Sequence, residues 1–201
     1  MTRIGIFGGT FNPPHIGHLI LAETAADALQ LDTVYFVPAA APPHKVGIPR
    51  AAVEHRVEMV KQAIVDNPRF ELSRVDVDRP GPHYAVEMVH IFHDSHPNAE
   101  LFFLMGSDSL RDLLSWHRPH DIVSACKIVV LNRPVNPPDM KSLSAAIPSL
   151  KEQLISIPSP EIEISSTNIV ARLRQGQSVR YRLQPTILKY IHEHQLYEHD
   201  Q

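Results

Sequence analysis

His15 and His18 stand three residues apart, directly behind a glycine pair and a proline pair, in the run Gly8-Gly9-Thr10-Phe11-Asn12-Pro13-Pro14-His15-Ile16-Gly17-His18. Histidines at that spacing share one face where a helix begins. The free N–H groups and positive dipole end of such a first turn attract an anion. Gly8 and Gly9 let the main chain approach that anion without a Cβ in the way, and Gly17 lets something flat lie against the turn. The chemistry this suits is phosphate handling, with donors fixed in advance where charge develops during a transfer. A zinc site needs a further ligand and often a wider histidine spacing, so the pair favours phosphate over metal. Neither the dinucleotide fingerprint G-x-G-x-x-G nor a phosphate loop G-x-x-x-x-G-K-S/T occurs.

Other residues extend this reading. Lys45 sits at the tip of a proline-stiffened loop, Pro38 to Pro49, where a point charge can reach phosphate. Asp108 follows Gly106 at an expected helix start, where a carboxylate caps free N–H groups or meets a ligand. Trp116, the only tryptophan, falls in a short polar segment with His117, and an indole face suits a cationic ring. Ser165-Ser166-Thr167 open a helix after an extended stretch, so their hydroxyls and amides can cap it, hold phosphate, or both. His90, His93 and His96 read as a solvated face, as do His192 and His194. Cys126 reads as a small buried hydrophobe. As the single cysteine it has no internal partner, which is compatible with a reducing cytosol.

These residues need positioning, and the hydrophobic pattern supplies the elements. Short apolar runs at 3–7, 33–37, 101–105 and 127–131 read as buried strands. Residues 70–77 alternate like a strand with one wet face. Helical periodicity appears at 15–29, 51–65, 84–92, 108–114, about 141–154 with Pro148 interrupting, 166–175 and 185–194. An extended stretch covers 155–164, and Gly176 stops the helix before it. Alternating strands and helices predict a doubly wound parallel α/β sheet, in which ligands bind beyond the carboxyl ends of the strands. Residues 1–201 are expected to form a single domain, with 165–201 a C-terminal helical subregion.

Composition excludes more than it assigns. The net charge is −3, so a large nucleic-acid footprint is not expected. Apolar runs are far too short to span a bilayer, and no membrane partner is expected. Glycine is scarce: four of the eight, Gly5, Gly8, Gly9 and Gly17, lie in the first 17 residues.

The run from Gly8 to His18 resembles the signature of the nucleotidyltransferase superfamily, whose H-x-G-H is shared with class I aminoacyl-tRNA synthetases. A chain of 201 residues without a K-M-S-K-S signature does not fit a synthetase. Pro42-Pro43-His44-Lys45, Gly106-Ser107-Asp108, Trp116-His117, Ile164-Ser165-Ser166-Thr167 and Arg180-Tyr181-Arg182 through Tyr197 follow in order. Together they resemble the bacterial nicotinate-nucleotide adenylyltransferases along essentially the whole chain.

The resemblance implies a Rossmann-like nucleotidyltransferase fold and a cytoplasmic enzyme of NAD biosynthesis. Such an enzyme joins nicotinate mononucleotide to the AMP part of ATP, releasing deamido-NAD and pyrophosphate, with Mg²⁺ carried by the ATP phosphates and no metal held by the protein. It implies that His15 and His18 are catalytic. Gly8, Gly9, Thr10, Phe11, Gly106, Asp108, Ser165, Ser166 and Thr167 would bind ATP. Lys45, Tyr84, Ala85, Trp116 and His117 would bind the mononucleotide. A homo-oligomer is left open. Two positions depart from the family pattern. An arginine six residues after the isoleucine of I-S-S-T is here Val170, with Arg172 and Arg174 further on and Arg172 on a different face. The usual Ser-Tyr-Thr after Gly-Pro is His83-Tyr84-Ala85, which keeps the backbone donor for the nicotinate carboxylate but loses the threonine hydroxyl. The alternatives are an enzyme for nicotinamide mononucleotide or for both nucleotides and, in a different class, a catalytically silent nucleotide sensor.

Overall fold

The protein is described by a computed structural model over residues 1–41, 50–132, 139–160 and 162–197. Its centre is a six-stranded sheet in the order β3-β2-β1-β4-β5-β6, with every pairing parallel. The strands are β1 (Thr2–Gly9), β2 (Thr33–Pro38), β3 (Phe70–Leu72), β4 (Ala99–Gly106), β5 (Lys127–Asn132) and β6 (Leu154–Pro158). The order reverses between β1 and β4, which opens a crevice beyond the carboxyl ends of those two strands. Gly9, Pro38 and Gly106 all stand at that edge, where Gly9 pairs with Pro38 in register.

Strand β4 shows why the central strands read as unbroken apolar runs. Phe102 and Leu104 join a core that contains α1 (Ile16–Ala28), α2 (Val53–Ile64), α9 (Ser166–Arg174) and α10 (Pro185–Glu193). Leu101, Phe103 and Met105 face a second core with α4 (Ala85–Ser95), α5 (Ser107–Asp112), α6 (Pro119–Ala125), α7 (Met140–Ala146) and α8 (Leu150–Gln153). Side chains alternate between the faces and both faces are covered, so no polar alternation remains. Each fully buried Leu, Ile or Phe contributes roughly 1.5–3 kcal/mol. Ala22, Ala25 and Ala26 are fully buried on α1, and their small side chains seat that helix close to the sheet.

Several sequence expectations are corrected. The 70–77 stretch is not one strand: β3 ends at Leu72 and a one-turn helix, α3 (Val75–Asp78), follows. The apparent alternation there comes from Val75 and Val77 flanking Asp76, and Asp76 is buried rather than solvated. The 155–164 stretch is a strand only to Pro158. Residues 141–154 break into α7 and α8, and Leu154 already belongs to β6. Helix α6 is absent from the sequence reading. It is short, and it begins where Arg118 turns left-handed (φ 51°) with Pro119 at its first position. His96 is not on a solvated face, because its ring lies 5.9 Å from that of Phe92 and nearly parallel to it. His192 and His194 are exposed as expected, with the His194 ring 4.2 Å from that of Tyr190. Cys126 is buried, and burial pushes its thiol up to about 12. Among the described residues no helix is long and apolar enough to cross a membrane.

Candidate active site

The carboxyl edge of β1 turns into α1 through Thr10 to Pro14, and His15 is the residue that caps the helix. Its backbone N–H donates to Nδ1 of His18 at 3.1 Å. In a capping box, the side chain at the third helical position reaches back to that same N–H, and here an imidazole fills the place usual for Glu. The bond has a chemical consequence. With Nδ1 of His18 an acceptor, its proton sits on Nε2, so the far side of the ring is a donor. The rings of His15 and His18 stack at 3.6 Å and 16°. Phe11 and Phe7 close on His18 edge-on at 5.0 and 6.0 Å. Three aromatic neighbours and one hydrogen bond therefore hold this donor in a single orientation.

The glycines make that packing fit. A Cβ on Gly17 would stand 3.1 Å from Nδ1 of His15, so the flat group against this turn is the His15 ring itself. A Cβ on Gly9 would come within 2.9 Å of the Phe11 ring, which folds back over the strand end with φ 47°. A Cβ on Gly8 would stand 3.3 Å from the Met88 side chain of α4. Gly106 ends β4 with no atom of the described residues beyond its chain neighbours within 4 Å of where a Cβ would stand.

Around this centre the sequence-derived residues form two groups. On one side, Ser165 caps α9 by accepting from the Asn168 N–H at 3.1 Å, and Ser166 Oγ donates to the Pro13 carbonyl at 2.9 Å. The start of α9, with Thr167 exposed on its first turn, is thereby pinned to the start of α1. The Arg182 carbonyl also accepts the Ile16 N–H at 3.0 Å. On the other side, the Tyr84 ring stacks on His117 at 4.2 Å and 25°. Trp116 stands edge-on to Phe103 of β4 at 6.0 Å and is half-buried, leaving indole surface at the rim. Tyr84 is the N-cap of α4 and Ala85 opens it.

Three expectations fare differently. Asp108 is not a cap: Gly106 holds the N-cap position without a side-chain bond, and Asp108 is exposed and paired with Arg111. Val170 packs against the α1-side core, and Arg172 Nε donates to the Ser178 carbonyl at 3.0 Å, at its own helix's far end. Lys45, with residues 42–49, lies outside the described residues.

Sequence reasoning missed the supports beneath these loops. Arg56 is 1% exposed, and its guanidinium donates to the carbonyls of Thr10 (2.8 Å), Ala40 (3.2 Å) and Ala51 (3.2 Å). Burial, then nearby Arg50, lowers its pKa to about 10, so it stays charged at neutral pH. Asn12 Oδ1 accepts from the Ala51 N–H at 3.0 Å and from the Tyr197 hydroxyl at 2.9 Å. Burial drives the Tyr197 phenol well above its ordinary range, which keeps the donor protonated. The signal for Arg56 was present: it falls between Val53, Val57 and Val60 on the apolar face of α2, where an unpaired cation is costly. Among the described residues no three His, Cys, Asp or Glu side chains gather as a metal cluster would require.

Residues 6–172 match the profile of the cytidylyltransferase-like family. A probable nicotinate-nucleotide adenylyltransferase of Thermomicrobium roseum is 43% identical, over 98% of this chain and 92% of that protein. Another, from Thermus thermophilus, is 42% identical over 97% of this chain and 99% of that one. Among solved structures, Plasmodium falciparum nicotinic acid mononucleotide adenylyltransferase complexed with NaAD overlays with a TM-score of 0.80. It covers 100% of this chain and 99% of that one at 19% identity, a likeness of fold.

Proposed function

The chain belongs to the cytidylyltransferase-like family, and from that premise we propose that it is a nicotinate-nucleotide adenylyltransferase of NAD biosynthesis. It joins nicotinate mononucleotide to the AMP part of ATP. A phosphate oxygen of the mononucleotide attacks the α-phosphorus of ATP. The new P–O bond forms as the α–β bridging bond breaks, and pyrophosphate leaves with the electron pair. A phosphate monoester has its second pKa near ~6, so at neutral pH the nucleophile is already a dianion and needs no protein base. What remains for the protein is alignment and neutralisation of charge.

The observation that carries this reading is the locked His15–His18 pair at the α1 N-terminus, with Nδ1 of His18 taken by the His15 N–H. We assign His18 the charge developing on the α-phosphate and the departing pyrophosphate, and His15 a place beside it. Gly8, Gly9, Thr10 and Phe11 supply backbone on the ATP side with Gly106 and Asp108, and Ser165, Ser166 and Thr167 bring the α9 N-terminus to the triphosphate. Lys45 adds a point charge. Tyr84, His117 and Trp116 receive the pyridine ring, and the Ala85 N–H donates to the nicotinate carboxylate. Magnesium enters with ATP as part of the substrate, keeping much of its water. A cytoplasmic setting belongs to the same reading, since a single cysteine without a disulfide is compatible with a reducing compartment.

Incubation with ATP, Mg²⁺ and either nicotinate or nicotinamide mononucleotide, following pyrophosphate, tests it. Turnover with the acid at the higher kcat/KM is expected. No turnover with either nucleotide rejects the enzyme, and equal kcat/KM rejects acid preference. Trp116→Ala is expected to raise KM for the mononucleotide about 2- to 30-fold, the size of a ring–cation contact of ~0.5–2 kcal/mol, with kcat little changed. An unaltered KM would reduce Trp116 to packing on Phe103.

A further inference from the structure

Asp76 and Arg79 form an ion pair outside every residue assigned above, with side chains only 6% and 13% exposed. Arg79 donates to Asp76 Oδ1 through Nε at 3.0 Å and a terminal nitrogen at 2.5 Å. The same guanidinium donates to the Pro82 carbonyl at 2.6 Å and to the Tyr84 carbonyl at 3.1 Å. The second Asp76 oxygen accepts the Ala40 N–H at 3.0 Å, and His83 Nδ1 stands 3.8 Å from it. A buried ion pair is weak ground for stability, because desolvation offsets attraction. What this one provides is geometry. It fixes the backbone that leads into α4 and ties it to the chain leaving β2.

The Tyr84 carbonyl is the decisive contact. A peptide unit is planar and trans, so its C=O and the next N–H point in opposite directions. Holding the Tyr84 carbonyl on the Arg79 side turns the Ala85 N–H the other way. Arg79 thereby braces, at shorter range than the Met88 N–H that donates to the same carbonyl at 3.5 Å, the direction of the first amide of α4, and Tyr84, stacked on His117, caps that helix. Ala85 has no side-chain hydroxyl to share the task.

We infer that Arg79, braced by Asp76, is a positioning residue that aims the Ala85 amide at the carboxylate of the mononucleotide and so sets the preference for acid over amide. The inference deepens the reading above and rests on it. Arg79→Gln removes the charge and the fork. It is expected to lower kcat/KM for nicotinate mononucleotide about tenfold or more, as for one charge-assisted hydrogen bond, mainly through KM. The value for the amide should change little, and KM for ATP should stay within about twofold. Arg79→Lys, which keeps the charge against Asp76, should restore part of the preference. Thermal unfolding of each variant is measured alongside. If Arg79→Gln does not fold, Arg79→Lys carries the comparison alone, with a smaller loss in the same direction. An acid-to-amide ratio unchanged in a folded variant, or an equal fall for both nucleotides, overturns the inference. Should amide turnover be undetectable, KM for the acid against KM for ATP decides in the same way. Wild-type protein inactive with both nucleotides would instead overturn the assigned reaction.

Discussion

His18→Ala is expected to lower kcat about 10²- to 10³-fold, the cost of one preorganised donor to developing charge. That is roughly 2.7–4 kcal/mol of transition-state stabilisation. The size follows from the way the ring is held. Its Nδ1 is occupied by the His15 N–H, and His15, Phe11 and Phe7 surround it, so the Nε2 donor needs no reorganisation when charge appears. KM for ATP should move much less, because the α1 and α9 N-termini remain. His18→Asn, which still offers a donor and an acceptor, should retain more activity than alanine. Steady-state pyrophosphate release is the measurement. A kcat near wild type in His18→Ala would remove His18 from the chemistry and leave the pair as a helix cap.

The sheet and the phosphate-side residues were legible because each rests on a local pattern. Leu101 to Met105 is apolar at every position since both faces of β4 are covered. His15 and His18 share a face because a helix starts there. What was not legible depends on contacts far apart in sequence. Asp76 looked like the wet side of a strand, and only its bonds to Ala40 and Arg79 explain a buried carboxylate. Asn12 was part of a motif, but its link to Tyr197 spans 185 positions. Asp108 illustrates the reverse failure. Its type and position suit a cap, yet Gly106 takes that place because the strand runs directly into the helix. Gly17 by its type suggests room for a ligand, whereas the room is filled by the neighbouring His15 ring. Such short-range packing around a motif is set by rotamers and backbone turns that residue spacing does not specify.

Arg56→Met should destabilise the protein by about 2–4 kcal/mol and distort both substrate sides together. Methionine keeps most of the volume and the apolar stem, so little cavity is made. It removes the guanidinium donors to the carbonyls of Thr10, Ala40 and Ala51. A buried acceptor left unmatched costs about 1–3 kcal/mol, and less at Thr10 and Ala40, whose bonds are only part-buried. Relief from burying a charge, visible in the lowered pKa of about 10, offsets part of that sum. The carbonyls win because there are three of them and they lie in three different segments: after β1, after β2 and before α2. For a chain of this size the expected fall in Tm is about 5–15 °C. Arg56→Lys tests the same point from the other side. It keeps the charge but replaces a rigid fork with one flexible ammonium, so it cannot span three carbonyls in the same geometry and should recover only part of the loss. A methionine variant as stable as wild type would mean that the loops satisfy their carbonyls by other routes and that the buried guanidinium is not what holds them. Because Thr10 adjoins the glycine pair while Asp76 grips the same Ala40 that Arg56 does, a folded Arg56→Met protein should show raised KM for ATP and for the mononucleotide alike. That joint rise separates Arg56 from Arg79, whose effect is confined to the acid-binding side.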